Sequence, residues 1–314
     1  MKNADYLSQL GYLFPWHKDR IKQSALAHIF RVRPSIKTKT SWSEFHQLID
    51  YTHCNNIVVS SESFESVQEQ YVELLKRELK PYDTKIIIYI RRQDLRIESH
   101  YLQDIKSGVF TGCIKSYLMK YNYENLNYFL LLNVWSKYFG KDNLAIRVLE
   151  KAQIYNVYKD FLGILGINDL SNFQKLENDR NIKPNLDQAI ALKFLNHSLS
   201  TSFGKTGEGR HRLDLICDFS RKVHIPFMNF SKNWNSQKKY KILPYENAIN
   251  ILERYEETNQ KTAQYYLERN NRILFYEKLE KYDNEDLDIN NIDKSKLIDL
   301  ALYLIGITSS QFKK

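Results

Sequence analysis

Only three cysteines occur in the 314 residues, and Cys54, Cys113 and Cys217 are far apart, with no Cys-x-x-Cys pair among them. An odd, scattered set excludes a disulfide scaffold and a zinc site of ordinary spacing, and it points to a reducing compartment. Long apolar runs are missing too. No stretch reaches the roughly eighteen apolar residues of a membrane-spanning helix, and residues 1–30 carry no continuous apolar core of a signal peptide. The chain is therefore expected to be cytoplasmic and without a transmembrane segment. Helix-turn-helix, zinc-finger and RNA-binding signatures are absent, as is any internal repeat. The excess of 46 Lys and Arg over 37 Asp and Glu, a net charge of +9, is therefore not assigned to sequence-specific nucleic-acid binding. It suits an anionic small molecule or an acidic polysaccharide equally well.

What is present is an alternation of strands and helices. With 43% hydrophobic and 26% charged residues, the chain is an ordinary globule, long enough for one large α/β domain with an appended helical part. Residues 56–60 read as a short strand, 63–80 as an amphipathic helix stopped by Pro81, 85–90 as a buried strand, and 93–108 as a helix. A helix over 124–139 ending at Gly140, a strand over 143–149 and a helix over 155–165 follow. This order predicts a parallel sheet flanked by helices, with right-handed crossovers. From about residue 184 the pattern turns helical, with segments at 187–196, 211–223 and 245–267. Residues 277–293 form an acidic linker, and 294–314 hold a C-terminal helix that docks on the body or on a partner.

The most informative stretch is Lys85-Ile-Ile-Ile-Tyr-Ile-Arg-Arg-Gln-Asp-Leu-Arg-Ile-Glu-Ser99. An apolar strand covered on both faces ends in two arginines, where ligands of α/β sheets bind. Arg91 at the strand tip and Ser99 on the next helix are spaced to converge on one phosphate. Several further stretches stand in a fixed order around it: Gly11-Tyr-Leu-Phe-Pro15, Val59-Ser-Ser-Glu-Ser-Phe64, Trp135-Ser-Lys-Tyr-Phe-Gly140, and Asn259-Gln-Lys-Thr-Ala-Gln-Tyr-Tyr-Leu267 with Leu274-Phe275. Together they resemble the bacterial branch of the P-loop sulfotransferases over roughly residues 3–276. The resemblance implies a sulfotransferase-like fold and transfer of a sulfuryl group from 3'-phosphoadenosine 5'-phosphosulfate to a hydroxyl of a carbohydrate or similar acceptor, without a metal. It also implies that Arg91 and Ser99 grip the 3'-phosphate of that nucleotide.

The same comparison shows a departure. The family opens with a strand and a Pro-Lys-Thr-Gly-Thr loop that cradles the 5'-phosphosulfate, whereas residues 3–15 look like the stretch just after it. The first strand and P-loop are therefore expected to be missing, and the chain reads as truncated. A non-catalytic remnant acting as a nucleotide- or partner-binding module is the alternative. Gly204-Lys-Thr-Gly-Glu-Gly-Arg210 does not replace the loop: a nucleotide P-loop needs a glycine five residues before Gly204, and Leu199 is there. Lys205 and Arg210 remain candidates for a further phosphate contact.

For the proton of the acceptor hydroxyl, Glu62 follows the strand at 56–60 and is expected at the same sheet edge as Arg91. The competing reading is a helix N-terminus capped by Ser60, Ser61 and Glu62. His28 and His100 are the further proton-transfer candidates, although lone histidines are more often structural. Arg147 is expected to pair with Glu150 or another acid, Arg92 with a helix acid, and Trp135, Tyr138 and Phe139 to pack the core.

Overall fold

A computed structural model describes residues 3–15, 26, 36–66, 68–174, 183–202, 224–234 and 239–311. Among the described residues the chain is mixed α/β, mostly helical, with two small parallel sheets. It divides into two compact units. The first comprises residues 1–90, 123–179 and 255–277, and the second residues 91–122, 180–254 and 278–314.

In the first unit, the Ala4–Gln9 helix leads into β1 (Tyr12–Leu13), which pairs in parallel with β2 (Asn56–Ile57). The neighbour of β2 thus comes from within the chain, just past Gly11, whose φ of +81° suits glycine. The longer ladder joins β3 (Ile86–Ile90) to β4 (Leu144–Val148), in register from Ile86↔Leu144 to Ile90↔Val148. Among the described residues the two ladders are separate sheets, so β2 and β3, expected to share the sheet edge of Glu62 and Arg91, are not joined.

Alternation along β3 and β4 sends Ile86, Ile88 and Ile90, with Leu144, Ile146 and Val148, to one face. That face packs on two clusters. In one, Ile90, Ile146 and Val148 meet Tyr128, Leu132, Ala263, Tyr266 and Leu274. In the other, Ile86, Ile88 and Leu144 lie against Trp42, Phe45, Val72, Leu75, Trp135 and Phe139. Trp135 and Phe139 are core residues, as read, and stack at 5.7 Å. The opposite face is polar at its centre: Tyr89 donates to Asp160 at 2.6 Å, and the Arg147 Nε lies 3.3 Å from the same carboxylate. The acid that pairs with Arg147 is therefore Asp160 of the Val157–Ile164 helix, not Glu150.

Several boundaries differ from expectation for local reasons. The helix expected over 63–80 is a 3-10 turn at Glu62–Ser66 and an α-helix at Glu69–Glu78, with Gln68 extended between them. Serines and acids there compete for backbone hydrogen bonds and resist a helix interior, and Lys80 before Pro81 disfavours its continuation. The helix expected from 124 begins at Tyr128, because the Asn127 side chain caps the Leu130 N–H at 3.1 Å. The segment expected to be helical at 211–223 lies outside the described residues.

In the second unit the Gln93–Lys106 helix packs on the Leu186–Ser202 helix, and Ile97, Tyr101 and Ile105 of the one and Ala189, Ile190 and Leu192 of the other are essentially fully buried. Residues 278–288 lack regular structure but are anchored. Tyr282 donates to the Leu243 carbonyl at 2.9 Å, Lys193 to the Leu287 carbonyl at 2.8 Å, and Leu287 is buried. Glu280, Asp283, Asp286 and Asp288, around and between these anchors, are exposed. The Lys294–Gln311 helix follows, with Tyr303 against Phe227 and Phe230.

Leu132 is fully buried, while Leu130 on the same helix is 55% exposed. Leu132→Ala should lower the unfolding free energy measured in urea by about 2–5 kcal/mol, and Leu130→Ala by less than about 1 kcal/mol.

Candidate functional site

The chain leaves β3 through Arg91 and Arg92 and enters the Gln93–Lys106 helix, with Arg92 at the N-cap position. The two arginines differ in burial. Arg92 is buried and grips Asp94 with Nε at 2.7 Å and Nη2 at 3.0 Å, a two-pronged ion pair inside the first helical turn. Its charge is compensated within the protein, and Asp94 also suits the positive end of the helix. Arg91 is exposed. Ser99 lies on the same helix and is half-buried. At 1.5 Å per residue it stands about 10 Å along the axis from Arg92.

The helix is fixed by an acid that the sequence reading passed over. Glu98 is buried and accepts the Lys183 ammonium at 3.1 Å and the backbone N–H groups of Ile242 at 3.1 Å and Leu243 at 3.4 Å. Lys183 also donates to the Tyr240 carbonyl and lies 4.1 Å over the Tyr240 ring. A signal was present: Glu98 shares a helical face with Tyr101, Leu102 and Ile105, at spacings of three, four and seven, so a charge there needs partners.

His100 is half-buried, with Nδ1 2.8 Å from the Tyr121 hydroxyl. One turn on, Asp104 accepts from the Tyr117 hydroxyl at 2.9 Å. Burial pushes the Asp104 carboxyl above its ordinary range, against the opposing pull of the Tyr117 hydrogen bond and the His100 charge. Deeper in the unit Asn196 donates to the Ile105 carbonyl at 2.6 Å, so its Oδ1 is the acceptor facing His224 Nε2 at 2.9 Å. The His224 ring thus carries its proton on Nε2.

Arg91, Ser99 and His100 fall within one stretch of the second unit, whereas Glu62 belongs to the first. Glu62 is exposed and opens the 3-10 turn at Glu62–Ser66. His28, Lys205 and Arg210 lie outside the described residues. A concavity of about 310 Å³ in the first unit is lined by Ser8, Leu48, Tyr51, Thr52, His53 and Cys54, and holds none of the expected site residues. Among the described residues no group of three His, Cys, Asp or Glu side chains is placed to hold a metal, and no helix is long and apolar enough to cross a membrane.

Comparison with known proteins adds one relative. The chain is 25% identical over 234 residues, 73% of its length, to an uncharacterized protein of Archaeoglobus fulgidus, and it spans 59% of that protein. No protein-family model matches, and no solved structure does.

Burial, with a smaller contribution from the Lys106 charge, lowers the His224 pKa from the ordinary 6.5 to about 4. The folded state refuses a proton that the unfolded chain takes below pH 6.5, so this contribution is intact above that pH and is lost as pH falls toward 4. The loss should total about 3 kcal/mol. Urea unfolding across this window should show a shallower decline for His224→Gln than for the wild type, and equal declines would refute the assignment.

Proposed function

We propose that the protein is a P-loop sulfotransferase-like enzyme that binds 3'-phosphoadenosine 5'-phosphosulfate through Arg91 and Ser99. In this reading it transfers the sulfuryl group to a carbohydrate hydroxyl. The observation that supports this reading most is the place of Arg91, exposed where a parallel strand hands over to a helix. A guanidinium in that place offers charged, directional donors to a phosphate, and the Ser99 hydroxyl adds another donor. Glu98, clamped by Lys183, Ile242 and Leu243, keeps the neighbouring Ser99 at a fixed point on the helix.

The donor nucleotide supplies an activated sulfuryl group. In the transfer, the acceptor oxygen forms its bond to sulfur as the bond to the 5'-phosphate oxygen breaks. A general base takes the hydroxyl proton; Glu62, His100 and His28 are the candidates for that task, of which His100 belongs to the same unit as Arg91 and Ser99. Lys205 and Arg210 serve as additional phosphate contacts. The chemistry calls for no metal, and the expected setting is the cytoplasm.

A second reading, a module that binds the nucleotide without turnover, is favoured by the exposure of Glu62. An exposed carboxylate lacks the desolvation that equips a general base.

Calorimetry with adenosine 3',5'-bisphosphate tests the phosphate site. Arg91→Ala should weaken binding by about 1.5–3 kcal/mol, roughly tenfold to over a hundredfold. Unchanged affinity against measurable wild-type binding would reject it. Glu62→Gln separates the two readings in an assay with labelled donor and a panel of polysaccharides. As the base, Glu62 should bind nucleotide normally when replaced by Gln, with transfer slowed at least about a hundredfold. Nucleotide binding without any wild-type transfer would favour the second reading.

A further inference from the structure

The Lys294–Gln311 helix turns polar side chains inward. Toward the body of the second unit it presents Lys296, Asp299, Leu300 and Tyr303, at the spacings of three, four and seven that share one helical face. The Lys296 ammonium lies 5.9 Å from the Trp234 ring centre, and Asp299 accepts the Trp234 indole N–H at 3.0 Å. Leu300 is buried, and the Tyr303 ring stands 5.3 Å from that of Phe227 and 5.1 Å from that of Phe230. The opposite face is apolar and open. Leu297 is 38%, Ile298 66% and Leu302 61% exposed, and Ala301 between them is exposed too. Position 305, an isoleucine, is the next on that face at the helical period.

An amphipathic helix on a globular protein normally does the reverse, with its apolar stripe toward the core and its charges toward water. An outward stripe of Leu, Ile, Ala and Leu therefore marks a partner that covers it. Size and charge choose that partner. Leu297, Ile298, Ala301 and Leu302 together expose roughly 350 Å², less than half of the about 800 Å² that each side of a stable protein pair buries, so a second copy seated on this stripe alone would be held weakly. A lipid surface sets no such threshold, because a helix face sinks into the headgroup boundary with a strength that scales with its apolar area and with its attraction to anionic lipids. The charge beside the stripe suits such a surface. Residues 294–314 hold four lysines and one acid, and that acid is Asp299, engaged with Trp234 on the inner face. Lys294 is exposed and stands four and eight residues before Ile298 and Leu302, on their side of the helix. The exposed acids at 280–293 precede the helix, and the second unit as a whole has 25 Lys and Arg against 16 Asp and Glu, whereas the first has 21 of each.

We propose that the outer face of the Lys294–Gln311 helix seats the protein on an anionic phospholipid surface, with Leu297, Ile298 and Leu302 at the acyl boundary and Lys294 among the phosphates. The helix lies in the plane of that surface. Arg91, Ser99 and Glu62 take no part, so lipid binding and bisphosphate binding succeed or fail separately.

Flotation of the full chain with vesicles of equal parts phosphatidylcholine and phosphatidylglycerol, or of phosphatidylcholine alone, tests it. The wild type should float with the mixed vesicles and be released as salt is raised. Ile298→Gln combined with Leu302→Gln should weaken binding about tenfold or more, and Lys294→Glu about fivefold, with the thermal midpoint unchanged in both. Leu130→Gln, at a leucine of the first unit that is 55% exposed, should bind as the wild type does. Sedimentation without lipid reads the other occupant: a wild-type dimer that the double substitution dissolves would overturn the lipid assignment and give the face to a second copy. Failure of the wild type to float, equal flotation with phosphatidylcholine alone, an unaltered double variant, or an equal loss in Leu130→Gln would each overturn it as well.

Discussion

The first unit depends on the five-residue parallel ladder between β3 and β4. Parallel strands need a long crossover, and here more than fifty residues separate Ile90 from Leu144. The ladder's register brings three isoleucines and their β4 counterparts onto one face, and both aromatic-rich clusters rest on that face. A slip of one residue would exchange it with the Tyr89 and Arg147 face and bury their hydroxyl and charge against hydrocarbon. Asp160, bonded to both side chains, opposes that slip.

Much of this arrangement is legible in the sequence. The run Ile86–Ile90 is a strand because its β-branched residues suit a pleated, largely covered surface, and residues 245–267 form one helix as their periodicity indicates. The misreadings lie where side chains compete with the backbone. The serine-rich 60–66 stretch reads as the start of a helix but curls into a 3-10 turn, and Asn127 starts a helix later than the apolar pattern indicates. Ladder membership was illegible for a different reason. The sequence places β2 and β3 one after the other, but hydrogen bonding joins β2 to β1 and β3 to β4, pairings made across long separations.

The candidate site was legible in its exposed members and not in its supports. Arg91 and Ser99 stand out because of their place after an apolar strand. The burial of Arg92 rests on its ion pair with Asp94, and the fixing of the helix depends on partners of Glu98 that are 85 and 144 or more residues away. A charged residue on an apolar helical face announces that a partner exists, but its identity is fixed only when the chain has folded. Glu150 and Gln153 show the same limit, since their partners at residues 269–277 are marked by no local pattern.

The Glu150 carboxylate also bears on how the protein is made. It takes its backbone donors from Tyr276 and Glu277, more than 120 residues further along the chain, and Leu274 from the same stretch fills the core over β3 and β4. Domains usually complete in order as they leave the ribosome, N-terminal first. Here the first unit cannot close until the second unit's 180–254 segment has been synthesised and residue 277 has emerged. Until then, the part of the β3–β4 face that Ala263, Tyr266 and Leu274 cover stays open to water.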